Sequence, residues 1–179
     1  MATAEKFEKS ALVMGVLSTA EDRREELFDL LEKNFGKIRK VSPVMDFSFT
    51  DYYDGEMGAR PVRYVLLFDN LVDPSDLADL KTRSNELETL FSDAEPTEGQ
   101  GRHVNLDPGL LSLSNFILAT CKNRSHRIAL RNGIYAEVTL LYQNRDFRAL
   151  PWTYADWASD ELRAVLRSFR AELRAMRES

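Results

Sequence analysis

Ionic, amide and phenolic side chains gather in three stretches of the sequence where predicted strands end or turn. These residues are Asp51, Tyr53 and Glu56, then Arg102, Asn105 and Asp107, then Lys122, Arg127 and Glu137. Lys81 and Asn85 lie four residues apart on a predicted helix, so they share one helix face and could form a fourth wall. The pattern predicts one polar cluster above a β-sheet whose other face is apolar.

The residue types in this cluster suit a small anionic ligand. Arg102, Lys122 and Arg127 can hold phosphate oxygens through charge-assisted hydrogen bonds. The predicted ligand-binding set is completed by Lys81, Asn85, Asn105 and Tyr53. The sequence contains neither G-x-x-x-x-G-K-[ST] nor G-x-G-x-x-G, so a nucleotide would have to bind in another way.

Four carboxylates of the cluster could hold Mg²⁺, a hard ion that prefers oxygen ligands. They are Asp51, Glu56, Asp107 and Glu137. Each also has an ordinary structural interpretation. Asp107 lies in a D-P-G turn sequence, Glu137 could pair with Arg127 across a hairpin, and the two loop carboxylates could simply face solvent.

The candidates for acid–base catalysis are His126, Glu137 and Asp107. Neighbouring side chains of a strand point to opposite faces, so His126 can share a site with Arg127 only if it precedes the strand. A structural role for His126 is the competing interpretation. No motif marks Ser112, Ser114 or Cys121 as a nucleophile, so the sequence leaves open whether any reaction is catalysed.

Length and composition predict one globular domain spanning residues 1–179, with residues 1–9 loose and 92–101 forming a mobile loop. No apolar run reaches the ~20 residues that span a bilayer, and residues 1–9 lack the features of a signal peptide. We therefore expect a cytoplasmic protein without a membrane partner.

The net charge of −5 argues against general nucleic-acid binding. The single cysteine, Cys121, excludes an intrachain disulfide, and its apolar surroundings predict a buried position.

Hydrophobic periodicity predicts the α+β class with the ferredoxin-like order β-α-β-β-α-β, extended by a β-hairpin and a final amphipathic helix. Strands are predicted at 11–17, 41–50, 62–68 and 102–106. Thr19 and Asp22 resemble a capping box before the first helix, Gly36 ends that helix, and Asp73 caps the second helix. Asp107-Pro108-Gly109 is predicted to form a type II turn.

The hairpin could have a two-residue Asn132-Gly133 turn, but a three-residue loop at 132–134 separates apolar from polar residues better. That register places Ile128 opposite Val138 and groups Arg127 with Glu137 on the polar face. Further on, Trp152, Tyr154 and Trp157 are predicted to clamp an irregular segment onto the core. Ser159 is predicted to cap the final helix, whose arginines, at positions 163, 167, 170, 174 and 177, would form a solvated face.

Three motifs resemble a bacterial family known as domain of unknown function 4416. They are F-S-F-T-D-Y-Y-D-G-E-M-G at 47–58, V-N-L-D-P-G at 104–109 and H-R-I-A-L-R-N-G-I-Y-A-E-V-T-L at 126–140. The resemblance covers nearly the whole chain and implies a single domain. It implies no activity, so the function has to be argued from the residues.

The leading hypothesis is a protein that binds a small anionic ligand, phosphorylated or nucleotide-like, at the polar sheet face. The alternative is a non-enzymatic interaction module that meets a protein partner through the aromatic segment or the arginine-lined helix. An exposed patch joining Trp152, Tyr154 and Trp157 would favour the alternative.

Overall fold

The computed structural model describes residues 3–47, 57, 61–93 and 101–178. Within these residues a nine-stranded antiparallel sheet combines with three α-helices, which confirms a mixed α and β protein. The strands are β1 (Ser10–Ser18), β2 (Ile38–Val41), β3 (Met45–Asp46), β4 (Val62–Val72), β5 (Val104–Leu111), β6 (Asn115–Thr120), β7 (Ile128–Ala129), β8 (Tyr135–Gln143) and β9 (Asp146–Ala149). The helices are α1 (Arg24–Phe35), α2 (Leu77–Asp93) and α3 (Asp160–Glu178).

The sheet has the strand order β2-β4-β1-β5-β6-β8-β7, with β3 also pairing with β4 and β9 with β8. β1 lies between β4 and β5 and is buried along its whole length. Its side chains alternate between two cores, as the two-residue period of a strand requires. Leu12, Met14 and Val16 pack with α1 and α2 on one face, whereas Ala11 and Val13 pack with α3 on the other. The sheet is therefore covered by helices on both faces.

Local helix signals in the sequence are mostly confirmed. The Asp73 side chain accepts a hydrogen bond from Ser75 N in the 3-10 turn that leads into α2, and Gly36 closes α1 with a left-handed φ of 95°. Ser159 Oγ accepts from Leu162 N at 3.2 Å at the start of α3. The capping box is wrong: Thr19 Oγ1 donates to the carbonyl of His103, and α1 begins without a side-chain cap.

Two predicted elements differ because tertiary pairing overrides local preference. The strand expected at 41–50 is instead the separate short strands β2 and β3, and residues 48–50 lie outside the described residues. Asp107-Pro108-Gly109 is not a turn. It lies inside β5, where Gly15 pairs with Asp107 and Met14 with Pro108. The chain turns later, where Ser112 N donates to Asn115 O.

The β7–β8 hairpin has a three-residue loop, but at residues 131–133, since Leu130 N donates to Ile134 O. Ile128 lies opposite Ala136 and not Val138, so the predicted register is wrong by two residues. A shift of two preserves the grouping of side chains by face. The apolar face is not fully covered, however, because Ile128 is 66% exposed.

The C-terminal segment is only partly clamped to the core. Trp157 is buried, whereas Trp152 is 37% and Tyr154 52% exposed. The prediction of a solvated arginine face on α3 is confirmed for Arg167 and Arg174, which are exposed, whereas the other three arginines are partly buried. Arg163 and Arg167 pair with Asp146, Arg170 lies over the Tyr142 ring, and Arg177 pairs with Glu8.

Glu8 and Lys9 thereby contact α3, although residues 3–9 form neither helix nor strand. In the loop predicted at 92–101, Ser92 and Asp93 belong to α2, and residues 94–100 lie outside the described residues. No described helix has both the length and the apolar character needed to span a membrane.

Candidate functional site

The site opens where β5 and β6 part. The two strands pair only through Gly109–Leu118, Leu110–Ile117 and Leu111–Phe116, while β5 continues along β1 as far as Val104. Backbone polar groups of a strand face its two neighbours alternately. The backbone polar groups of Leu106, Pro108 and Leu110 therefore all face the β6 side of β5. Proline has no N–H to donate there, so the pairing ends at the point where the next donor is missing. The strands separate beyond it and leave a cleft of about 510 Å³.

Side chains of α2 replace the missing strand at Leu106. Glu88 Oε1 accepts from Leu106 N at 2.7 Å, and Lys81 Nζ donates to Leu106 O at 2.7 Å. Ser84 Oγ donates to the same carbonyl at 3.3 Å. The three α2 side chains are buried, at spacings that place them on one helix face. Burial raises the pKa of the Glu88 carboxyl, although Lys81 and Arg102 act to lower it.

The same α2 residues fix the first polar wall of the cleft. Lys81 Nζ lies 3.3 Å from Asp107 Oδ1 and 3.9 Å from Glu88 Oε1. Arg102 Nη1 lies 2.8 Å from Glu88 Oε2, and Asn105 Nδ2 donates to Asp107 Oδ2 at 2.7 Å. Asp107 is therefore held on both oxygens, by an ammonium on one and an amide on the other.

The hairpin supplies the second wall, centred on Glu137. Glu137 Oε2 accepts from Arg127 Nε at 2.7 Å and lies 2.9 Å from His126 Nε2. Arg127 also donates to Lys122 O at 2.7 Å and to Tyr154 Oη at 3.0 Å. The cross-strand ion pair is thus present. His126 precedes β7, as sharing a site with Arg127 requires, and its ring stacks on Trp152 with centroids 4.9 Å apart.

The third wall contains a buried ion pair that the sequence-based interpretation missed. Arg63 on β4 donates to Asp156, and both side chains are buried. The Arg63 guanidinium lies 5.5 Å from the centroid of the Phe47 ring and 5.3 Å from that of Trp157. The available signal was a lone charge inside an apolar central strand, which requires a buried partner.

Eight of the predicted site residues line this single cleft. They are Lys81, Asn85, Arg102, Asn105, Asp107, Lys122, Arg127 and Glu137. Asp51, Tyr53 and Glu56 lie outside the described residues. Among the described residues, His126 does not line the cleft and reaches it through its contact with Glu137.

Cys121 also lines the cleft, but it is exposed, so the prediction of a buried cysteine is wrong. The apolar run that suggested burial belongs to β6, which ends at Thr120. Asn85 Nδ2 lies 3.3 Å from Cys121 Sγ. α2 and the end of β6 therefore meet across the cleft.

The described lining carries more positive than negative charge. Six cations line it, Arg63, Lys81, Arg102, Lys122, Arg124 and Arg127, against the three carboxylates Asp107, Glu137 and Asp156. Glu88, which pairs with Lys81 and Arg102 from outside the lining, reduces this excess from three to two positive charges, in a chain whose formal net charge is −5. Among the described residues, no group of three or more His, Cys, Asp or Glu side chains is placed to hold a metal ion.

Comparison with known proteins gives one match. A family model described as Domain of unknown function (DUF4416) matches residues 8–173. No curated protein and no solved structure matches the chain significantly.

Proposed function

The chain belongs to this DUF4416 family, and we propose that the protein binds a small phosphorylated ligand in the cleft between β5 and β6. The observation that carries the proposal is the cationic excess in a cleft of an otherwise acidic chain. Clefts lined by one sign of charge concentrate ligands of the opposite sign. In this proposal the protein acts in the cytoplasm, where phosphorylated metabolites are kept.

The cations of the cleft differ in whether their side chains already form hydrogen bonds or ion pairs within the protein. Lys81 and Arg127 are held by carboxylates and carbonyls, so their first role is structural. Arg124 is exposed and forms no hydrogen bond or ion pair with any described side chain. Arg124 is therefore the side chain best placed to receive a phosphate group.

Isothermal titration calorimetry with inorganic phosphate, ribose 5-phosphate and nucleoside 5′-monophosphates, with and without Mg²⁺, tests the proposal. Arg124→Gln should weaken binding of every phosphorylated probe by about tenfold, the value of one charge-assisted hydrogen bond. Arg174→Gln, at an exposed arginine of α3 outside the cleft, is the matched control and should leave binding unchanged. Absence of binding by every probe at millimolar concentration would refute the proposal. The comparison with Mg²⁺ also tests whether the metal binds with the ligand.

The second candidate function, a protein-interaction module, draws on the exposure of Trp152 and Tyr154. Burial of Trp157 argues against it because the three aromatic residues do not form one exposed patch. Trp152 and Tyr154 are also engaged locally, by the Val138 carbonyl and Arg127. The ligand-binding proposal therefore accounts for more of these contacts.

We also propose that β1, α1, β2, β4, α2 and β5 form a ferredoxin-like unit. The spatial order β2-β4-β1-β5, antiparallel throughout, supports it. The additional strand β3 on β4 departs from the simplest form of that arrangement.

A further inference from the structure

Two buried side chains that line the cleft retain polar atoms without a hydrogen-bond partner. Glu137 is 2% exposed, and its Oε1 has no partner among the described residues, whereas Oε2 faces Arg127 and His126. Arg63 is 4% exposed, and its Nε and Nη1 are likewise without partners. The Arg63 guanidinium packs against the rings of Phe47 and Trp157. The unpartnered acceptor of Glu137 is therefore the atom that indicates a ligand, because native proteins satisfy most buried polar atoms.

We infer that the ligand is a phosphate ester of about mononucleotide size whose neutral N–H or O–H group donates to Glu137 Oε1. This inference rests on the proposed function and adds to it the class of ligand. Arg127 already balances the charge of Glu137, so a neutral donor completes the carboxylate without adding a charge. Inorganic phosphate can donate to Glu137 Oε1 only through its own hydroxyl, which brings its negative charge against this carboxylate.

Cleft size and the rim aromatic residue support this class. The cleft of about 510 Å³ falls within the roughly 300–1,000 Å³ typical of sites for drug-sized ligands and is much larger than a phosphate ion requires. Tyr154 lines the cleft, is 52% exposed, and has its hydroxyl held by Arg127 Nη2. A phenol ring fixed in this way can stack against a planar group.

Glu137→Gln separates two contributions to binding, that of the phosphate group and that of the ligand donor to Glu137 Oε1. The Nε–H of Arg127 requires an oxygen, so the Gln carbonyl should turn toward Arg127 and the amide NH₂ should take the place of Oε1. The position that accepts a ligand hydrogen in the wild-type protein then donates one. Binding of phosphate alone should persist and become somewhat tighter, because the substitution removes a negative charge from the cleft, while the additional affinity of the larger ester should be lost.

Calorimetry with inorganic phosphate, ribose 5-phosphate and the four common nucleoside 5′-monophosphates tests the inference. At least one ester should bind the wild-type protein about tenfold more tightly than phosphate, and Glu137→Gln should abolish that difference. Glu172→Gln is the matched control, because Glu172 also accepts from an arginine Nε, that of Arg39, but lies outside the cleft. It should preserve the difference.

The outcomes separate the inference from the proposal on which it rests. If phosphate binds and no ester binds more tightly, the inference fails and the proposed function stands. If no phosphorylated probe binds, both fail. Should Glu137→Gln not fold, a crystal structure of the wild-type protein with its tightest ester decides the matter. A ligand donor within about 3.2 Å of Glu137 Oε1 is expected, and an ester that leaves this oxygen without a ligand contact would overturn the inference.

Discussion

Lys81→Met tests whether side chains of α2 stabilise the unpaired edge of β5 by hydrogen-bonding the backbone of Leu106. The substitution keeps an unbranched side chain but removes the 2.7 Å hydrogen bond to Leu106 O, for which Ser84 Oγ at 3.3 Å is a poorer substitute. It also removes one of the cations facing the buried carboxylate of Glu88. A buried carbonyl that loses its partner costs about 1–3 kcal/mol, and weakening a buried ion pair adds to this. We expect a total loss of about 3 kcal/mol in the free energy of unfolding.

Urea denaturation followed by tryptophan fluorescence measures this loss. With a slope of roughly 2 kcal/mol per molar urea, the midpoint should fall by about 1.5 M while the slope stays constant. Lys40→Met is the control, because Lys40 forms a more exposed ion pair with Glu172 at 3.3 Å, and it should cost less than about 1 kcal/mol. Equal effects of the two substitutions would refute a capping role for Lys81.

A double-mutant cycle sharpens the test. If Lys81 and Glu88 act together on Leu106, the combined variant Lys81→Met, Glu88→Gln should be less destabilised than the sum of the single variants by about 1–2 kcal/mol. This is expected because the second substitution removes the carboxylate charge that the first leaves with fewer cations. Strict additivity would show that the two side chains act independently.

Three further predictions concern the same region. Burial raises the pKa of Glu88 above its ordinary value of 4.5, so its contribution to stability is fully present below that pH and is lost as pH rises through the folded-state pKa. Denaturation across pH measures the free energy of unfolding of the wild-type protein and of Glu88→Gln. The wild-type value minus the variant value should fall as pH rises above 4.5, and a difference that grows would contradict a raised pKa of Glu88. Gly109→Ala should destabilise by about 1–3 kcal/mol in urea denaturation, because its Cβ would lie 2.7 Å from the Phe116 ring and 2.8 Å from the Ile117 carbonyl oxygen; wild-type stability would refute that packing. Gly15→Ala should lower the melting temperature and alter the emission of Trp157, whose ring would lie 2.8 Å from the new Cβ, and an unchanged spectrum would count against this contact.

Sequence reasoning succeeded where the determining interactions are local. Asp73 and Ser159 cap their helices because a capping side chain bonds within two or three residues of itself. The amphipathic character of the final helix follows from helical period alone, and Leu166, a central member of its apolar stripe, is fully buried. The eight residues found in one cleft could be selected because they lie on one helix face, as Lys81 and Asn85 do, or in and beside strands that the fold brings together.

The remainder depended on pairing between distant segments. Pro108 lies within a strand because β1 pairs with that stretch, which outweighs its local turn preference. The hairpin register was wrong by two residues because burial fixes the face of each side chain but does not distinguish registers two residues apart. Lys81, predicted with Asn85 on one polar helix face, is instead buried together with Glu88, because α2 covers a break in the sheet.

That break would ordinarily be a hazard. A strand edge with free N–H and C=O groups is a template onto which another polypeptide can add, and such addition seeds aggregation. At Leu106 both groups are already engaged by α2, so an incoming strand finds neither a donor nor an acceptor there. The protein can thus keep an opening within its sheet without offering that opening to its neighbours in a crowded cell.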